Sequence, residues 1–98
     1  MGKLESQFQK ELMDEIRLIF PGCVILKNDS SYIQGFPDWT ILYKDKWVVL
    51  EAKKSRTARR QPNQEYYVNK LDSMSYSCFV YPENKDEVIR ELKKIFAE

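Results

Sequence analysis

The stretch Trp47-Val48-Val49-Leu50-Glu51-Ala52 constrains the fold more than any other part of this 98-residue chain. In an extended strand successive side chains point to opposite faces. Here both faces are apolar, apart from Glu51 near the end. Such a strand must be central in a sheet, covered by helices on both sides. The rest of the chain supplies the covering. Leu4, Phe8, Leu12, Ile16 and Ile19 share one face of a helix from Leu4 to Phe20, which Pro21-Gly22 ends. Cys23 to Leu26 is a short apolar run that reads as a buried strand. Residues 28–37 are polar with a glycine and read as a loop. Asp38–Tyr43 and Trp47–Lys53 are rich in β-formers and flank Lys44-Asp45-Lys46, so they read as a hairpin. A basic loop, Ser55–Arg60, precedes a helix from Pro62 to about Met74, with proline in its first turn. Its inward stripe is Gln64, Tyr67, Val68, Leu71 and Met74. Ser77–Tyr81 is a further strand, broken by Pro82. An amphipathic helix from Glu83 to Ala97 turns Val88, Ile89, Leu92, Ile95 and Phe96 inward. The order is α-β-β-β-α-β-α: one three-layer α/β domain over residues 1–98, with a mixed central sheet flanked by helices.

Composition narrows the chemistry. Hydrophobic residues are 43% of the chain, enough for one core, and charged residues are 32%. A chain this short buries about 60–70% of its extended surface, so a partner subunit is an expectation. There is no histidine. That excludes His-Cys zinc sites, Ser-His-Asp triads and histidine-based nucleases. Acid, base or metal chemistry must therefore use carboxylates, lysine, tyrosine or water. Cys23 and Cys78 lie in apolar stretches and read as reduced core thiols. No stretch reaches the roughly 18 apolar residues of a membrane span. The N-terminal lysine has no apolar core behind it, which is not the pattern of a secretory signal, so the expected compartment is the cytoplasm.

The informative spacing is Gly35-Phe36-Pro37-Asp38, twelve residues, then Glu51-Ala52-Lys53. Period two puts Glu51 and Lys53 on the same face. A charge at the end of an apolar strand is costly unless paired or metal-bound. By itself this is an ion pair fraying into solvent. Asp38 changes the balance. With a two-residue turn at Asp45-Lys46, Lys44 faces Trp47, Asp38 faces Lys53 and Glu51 faces Thr40. All three charges then share one face, and a one-residue slip would separate them. The first helix adds an acid: Glu5 points within about 20° of the centre of the apolar stripe, and Gln9 also falls within the stripe, so that face is not purely apolar. Glu5 also sits where a carboxylate favours the helix dipole. Gln64 is the polar end of the second helix's stripe, and it equally suits capping of that helix.

Converging carboxylates make a hard, oxygen-rich site suited to Mg²⁺ or Mn²⁺. With a lysine to orient water and steady developing charge, the reaction that fits is phosphodiester hydrolysis. Directly after the carboxylate motif, Lys53, Lys54, Arg56, Arg59 and Arg60 place five cations in eight residues with no acid between them. Net charge is only +1, so the grip on nucleic acid would be local, on backbone phosphates. Two rival readings remain. One is a non-catalytic nucleic-acid-binding module that keeps the fold. The other is a structural or inhibitor protein whose charged strand end is only a surface ion pair. Trp39, Trp47, Tyr43 and Phe79 read as core or dimer packing, and one of Tyr66 and Tyr67 faces outward.

Gly35-Phe36-Pro37-Asp38 with Glu51-Ala52-Lys53 resembles the PD-(D/E)XK nuclease superfamily. Glu5-Ser6-Gln7 and Pro62-Asn63-Gln64 fall in the order of its VRR-NUC branch, so the pattern is similar to that branch's small stand-alone phage members from about Leu4 to Pro82. The resemblance implies a restriction-endonuclease-like fold. It implies Asp38, Glu51 and the Ala52 backbone carbonyl as metal ligands and Lys53 as the residue that positions or activates water. Glu5 becomes a metal or water ligand and Gln64 a support. It further implies Mg²⁺, with Mn²⁺ as substitute, a homodimer similar to Holliday-junction resolvases, and branched or structured DNA as substrate. Lys54, Arg56, Arg59 and Arg60 remain the nucleic-acid contacts. A phage-encoded member would act in the host cytoplasm. Gln61-Pro62 stands where a small polar cap is expected, which leaves Gln61 as a rival to Gln64.

Overall fold

The computed structural model describes residues 4–97. Its elements run α1 (Glu5–Ile19), β1 (Val24–Lys27), β2 (Trp39–Tyr43), β3 (Lys46–Ala52), α2 (Gln64–Met74), β4 (Ser77–Val80) and α3 (Lys85–Ala97). The order α-β-β-β-α-β-α and the mixed sheet are as the sequence predicts. The four strands lie in the order β1-β2-β3-β4. The first two pairings are antiparallel and β3·β4 is parallel. A parallel neighbour needs a crossover, and α2 provides it.

The strand β3 is central, with Val48, Val49, Leu50, Glu51 and Ala52 all buried. Val48, Leu50 and Ala52 join one core cluster with Ile41, Val80, Phe8, Leu12, Met13 and Ile16 of α1, and Val88, Ile89, Leu92 and Phe96 of α3. By alternation Val49 and Glu51 belong to the other face. There α2 lies over β3 and β4, burying Val68 and Leu71. Phe20 closes the bottom of the core, edge-on to Phe96 at 4.9 Å and tilted against Tyr43 at 5.6 Å. Among the described residues no helix is long and apolar enough to cross a membrane.

Five local expectations are corrected. Leu4 is 72% exposed, because it is the extended residue before α1 and has no preceding turn to lean on. Val24 and Leu26 are about half exposed, so β1 is not a buried strand. It is an outer strand: Ile25 is half-buried against the core, while α2 packs mainly on β3 and β4 on the other side. Met74 is exposed at the last turn of α2. Helix α2 begins at Gln64 rather than Pro62, because Asn63 adopts left-handed φ (70°). Finally, the hairpin turn is Lys44-Asp45. Tyr43 faces Lys46, Leu42 faces Trp47 and Trp39 faces Leu50. Lys44 takes a left-handed φ of 57°, which a lysine does not advertise. Moving the turn by one residue shifts the pairing by two, so every side chain keeps its face.

One glycine is required by geometry. Gly35 has φ +87°, and a β-carbon there would lie 2.6 Å from both Asn63 Cβ and the Pro62 carbonyl oxygen. The loop before β2 is thus pressed onto the segment before α2. Gly35→Ala is expected to destabilise the fold by about 2 kcal/mol or more, from left-handed backbone cost plus the clash. Urea unfolding measures it, and a variant within about 0.5 kcal/mol of wild type contradicts the contact.

Candidate active site

The site forms at one end of the sheet, where β2 begins and β3 ends. Extending the observed register by one step puts Asp38 opposite Glu51, closer than the Lys53 partner predicted from sequence. The Asp38 amide donates to Glu51 Oε1 at 3.2 Å, which ties the two acids together. Glu51 is 2% exposed and Lys53 6%. Lys53 Nζ stands 4.0 Å from Glu51 Oε2 and donates to the Arg59 carbonyl at 3.2 Å. The basic loop therefore folds back over the lysine of the motif.

A loose, buried pair leaves Glu51 short of positive charge. Burial, then the Asp38 charge and more weakly Glu5, push its carboxyl up to about 7, against the pull of Lys53 and the Asp38 amide. The influence of Glu5 brings the first turn of α1 into the same electrostatic neighbourhood. Glu5 also accepts a hydrogen bond from Gln9 Nε2 at 3.4 Å. Gln64 is buried, and its Oε1 accepts the Gln61 amide at 2.7 Å. That bond closes the turn that leads into α2, whose N-cap Asn63 makes no side-chain cap; Gln61 contributes its backbone there and is itself exposed.

The four loop cations differ. Lys54 and Arg59 are exposed. Arg56 is exposed, with its guanidinium 5.8 Å from the Tyr81 ring centre. Arg60 stacks on Phe79 at 3.8 Å and pairs with Glu65 at 3.0 Å, so it is the most engaged of the four.

Sequence reasoning missed Lys27 altogether and gave Gln9 no role. Lys27 Nζ lies 3.3 Å from Asp38 Oδ2 and 3.3 Å from Gln9 Oε1, and 4.5 Å from the centre of the Trp39 ring. Trp39 Nε1 donates to the same Gln9 oxygen at 3.2 Å. Asn28 was also missed. Its side chain holds the Pro37 carbonyl and the Thr40 hydroxyl, and its backbone N–H donates to the Asp38 carbonyl at 2.7 Å, fixing the backbone on either side of Asp38. Lys27 stands at the end of an apolar run, and only the antiparallel pairing of β1 with β2 brings it to Asp38.

The donors are all oxygen: the Asp38 and Glu51 carboxylates, with Glu5 nearby and the Ala52 carbonyl in the same strand. Among the described residues no three His, Cys, Asp or Glu side chains cluster to enclose a metal ion. A two-carboxylate site fits Mg²⁺, which keeps several waters and takes substrate phosphate as a ligand, better than a cation that needs a full protein cage.

No family model matches the chain, and no curated protein does. Among solved structures it is similar to a VRR_NUC domain protein, with a TM-score of 0.70 and 18% sequence identity, over 97% of this chain and 92% of that one. At that identity the likeness is one of fold alone: the chain has a VRR-NUC-like fold.

Proposed function

We propose that this chain, with its VRR-NUC-like fold, is a metal-dependent endonuclease that hydrolyses phosphodiester bonds in branched or otherwise structured DNA. The observation that carries the reading is the buried Glu51, paired through a hydrogen bond to Asp38 and under-neutralised by Lys53 alone. A buried acid that crowds another acid needs more positive charge than the chain provides. Mg²⁺, or Mn²⁺ in its place, would be held by Asp38, Glu51 and the Ala52 carbonyl, with Glu5 as a further metal or water ligand. Bound there, it would lower the pKa of a water and offset charge on the scissile phosphate. Lys53 orients the attacking water through Nζ and steadies the oxyanion that forms. Its bond to the Arg59 carbonyl holds the ammonium in place for that task. Gln64 supports the site by fixing the segment at Gln61. Lys54, Arg56, Arg59 and Arg60 take flanking backbone phosphates without reading sequence.

The test is cleavage of labelled four-way junction, duplex and single-stranded DNA by purified protein in Mg²⁺ or Mn²⁺. The junction is expected to be cut fastest. Binding without any cleavage in either cation would leave a nucleic-acid-binding module instead.

The same reading makes the enzyme a homodimer, since cutting two strands needs two sites. The outer face of β1 and β2 supplies an apolar surface for it: Val24 is 50%, Leu26 47% and Leu42 37% exposed. Leu26→Glu is expected to shift the protein from dimer to monomer in sedimentation at micromolar concentration. A wild type that sediments as a monomer, alone and on DNA, removes the dimer. On this reading the enzyme works in the cytoplasm, that of the host if a phage encodes it.

A further inference from the structure

We propose that Lys27 is a substrate-binding residue: its ammonium is held on Asp38 in the free protein and moves to a phosphate oxygen of the DNA backbone when substrate binds. The inference rests on the nuclease reading for its ligand, a nucleic-acid phosphate.

Three observations carry it. First, the ammonium is placed rather than loose. Half of the Lys27 side chain is exposed, yet Nζ is held by Asp38 Oδ2, Gln9 Oε1 and the face of Trp39, and Gln9 is itself fixed by Trp39 and Glu5. A solvated surface lysine has no such set of partners. Second, its place in the sheet complements the other cations. β1 lies on one side of β2, while β3, Lys53 and the basic loop lie on the other. A backbone crossing the two carboxylates would meet positive charge on both flanks.

Third, the charges favour a phosphate partner for Lys27. Asp38 stands against Lys27 and Glu51 against Lys53. A divalent cation at the two carboxylates would add positive charge there, and a phosphodiester would offset it. Without the phosphate, an ammonium and a divalent cation on the same Asp38 repel each other. A phosphate oxygen gives Lys27 a new partner and relieves that repulsion.

The experiment uses the full chain as wild type, Lys27→Met, Lys27→Arg and, as a charge control on the outside of α3, Lys93→Met. Binding to labelled duplex and four-way junction is followed by anisotropy across a salt series, with Ca²⁺ in place of Mg²⁺. Lys27→Met is expected to weaken binding roughly five- to tenfold on both DNAs and to lower the log–log salt slope by about one. Lys27→Arg should restore both, and Lys93→Met should change neither. Mn²⁺ binding without DNA, measured by calorimetry, should not weaken in Lys27→Met. An unchanged salt slope overturns the assignment. So does a tenfold loss of Mn²⁺ affinity in Lys27→Met, which would make the lysine a positioning residue for Asp38. A wild type that binds DNA but never cuts it overturns the nuclease reading alone, because the salt slope still reports on Lys27. A wild type that binds no DNA overturns both.

Discussion

Asp38→Ala is expected to lower cleavage of junction DNA in Mg²⁺ by at least on the order of a thousandfold, while binding of the same DNA changes by only a few-fold. The asymmetry follows from what Asp38 touches. Its carboxylate belongs to the proposed cation site and pairs with Lys27, on the far side of β2 from the basic loop. Losing it removes one of two close acids, so the cation loses affinity and the phosphate loses its neutralising partner. The hydrogen bond to Glu51 survives, because the donor is the Asp38 backbone amide. The fold is therefore retained, and with the Asp38 charge gone the metal-free variant should melt no lower than wild type at neutral pH. The freed Lys27 adds positive charge at the mouth, which favours retained DNA binding. A variant that cuts within tenfold of wild type sinks the assignment of Asp38.

The second large effect is on stability against pH without metal. Glu51 is buried with its carboxyl pushed up to about 7, against an ordinary 4.5. For an acid raised in the fold, the protonated form is the one the fold prefers. Its contribution is fully present below the unfolded value and is lost as pH rises through the folded value. Between about pH 4.5 and 7 the metal-free protein should thus lose on the order of 3 kcal/mol through this one group. For a domain of this size that corresponds to a fall in melting temperature of about 10 °C or more between pH 5 and pH 8. Glu51→Gln keeps an acceptor for the Asp38 amide and cannot ionise, so its melting temperature should stay nearly flat over that range. Mn²⁺ should stabilise wild type far more at pH 8 than at pH 5, since only the ionised carboxylate binds it. Scanning calorimetry in a chelator and then in Mn²⁺ reads all of this. Metal-free wild type no less stable at pH 8 than at pH 5, or Glu51→Gln with an unchanged pH slope, defeats the account.

How much of this could be read from the sequence depends on which kind of information each feature uses. The three helices and the central strand were legible because their apolar period is local: Phe8, Leu12 and Ile16, or Val88, Ile89 and Leu92, declare a face without reference to anything else. The shared face of Asp38, Glu51 and Lys53 was legible for a related reason. Parity survives any even shift, so the predicted turn could be wrong by a residue and the three side chains still share a face. The turn itself was not legible, because Lys44 carries no glycine or asparagine to mark its left-handed backbone. The start of α2 was misread because Pro62 suits a first helical turn, while Asn63 bends the chain before it. The exposure of β1 was hidden for a different reason. Val24 and Leu26 look like core residues, and only the sheet order shows that α2 stops short of them. Lys27 belongs to this last class. Its pairing with Asp38 needs the antiparallel neighbour, which no stretch of sequence contains.

The contact between Gly35 and Asn63 has a consequence for how a substrate is received. It packs the segment that leads to Asp38 against the segment that follows the basic loop. Segments in such close contact are expected to move together rather than open like a lid. On the nuclease reading the bending then falls on the nucleic acid. Compliance at a strand exchange or a flexible step, rather than base identity, would decide which duplexes are admitted.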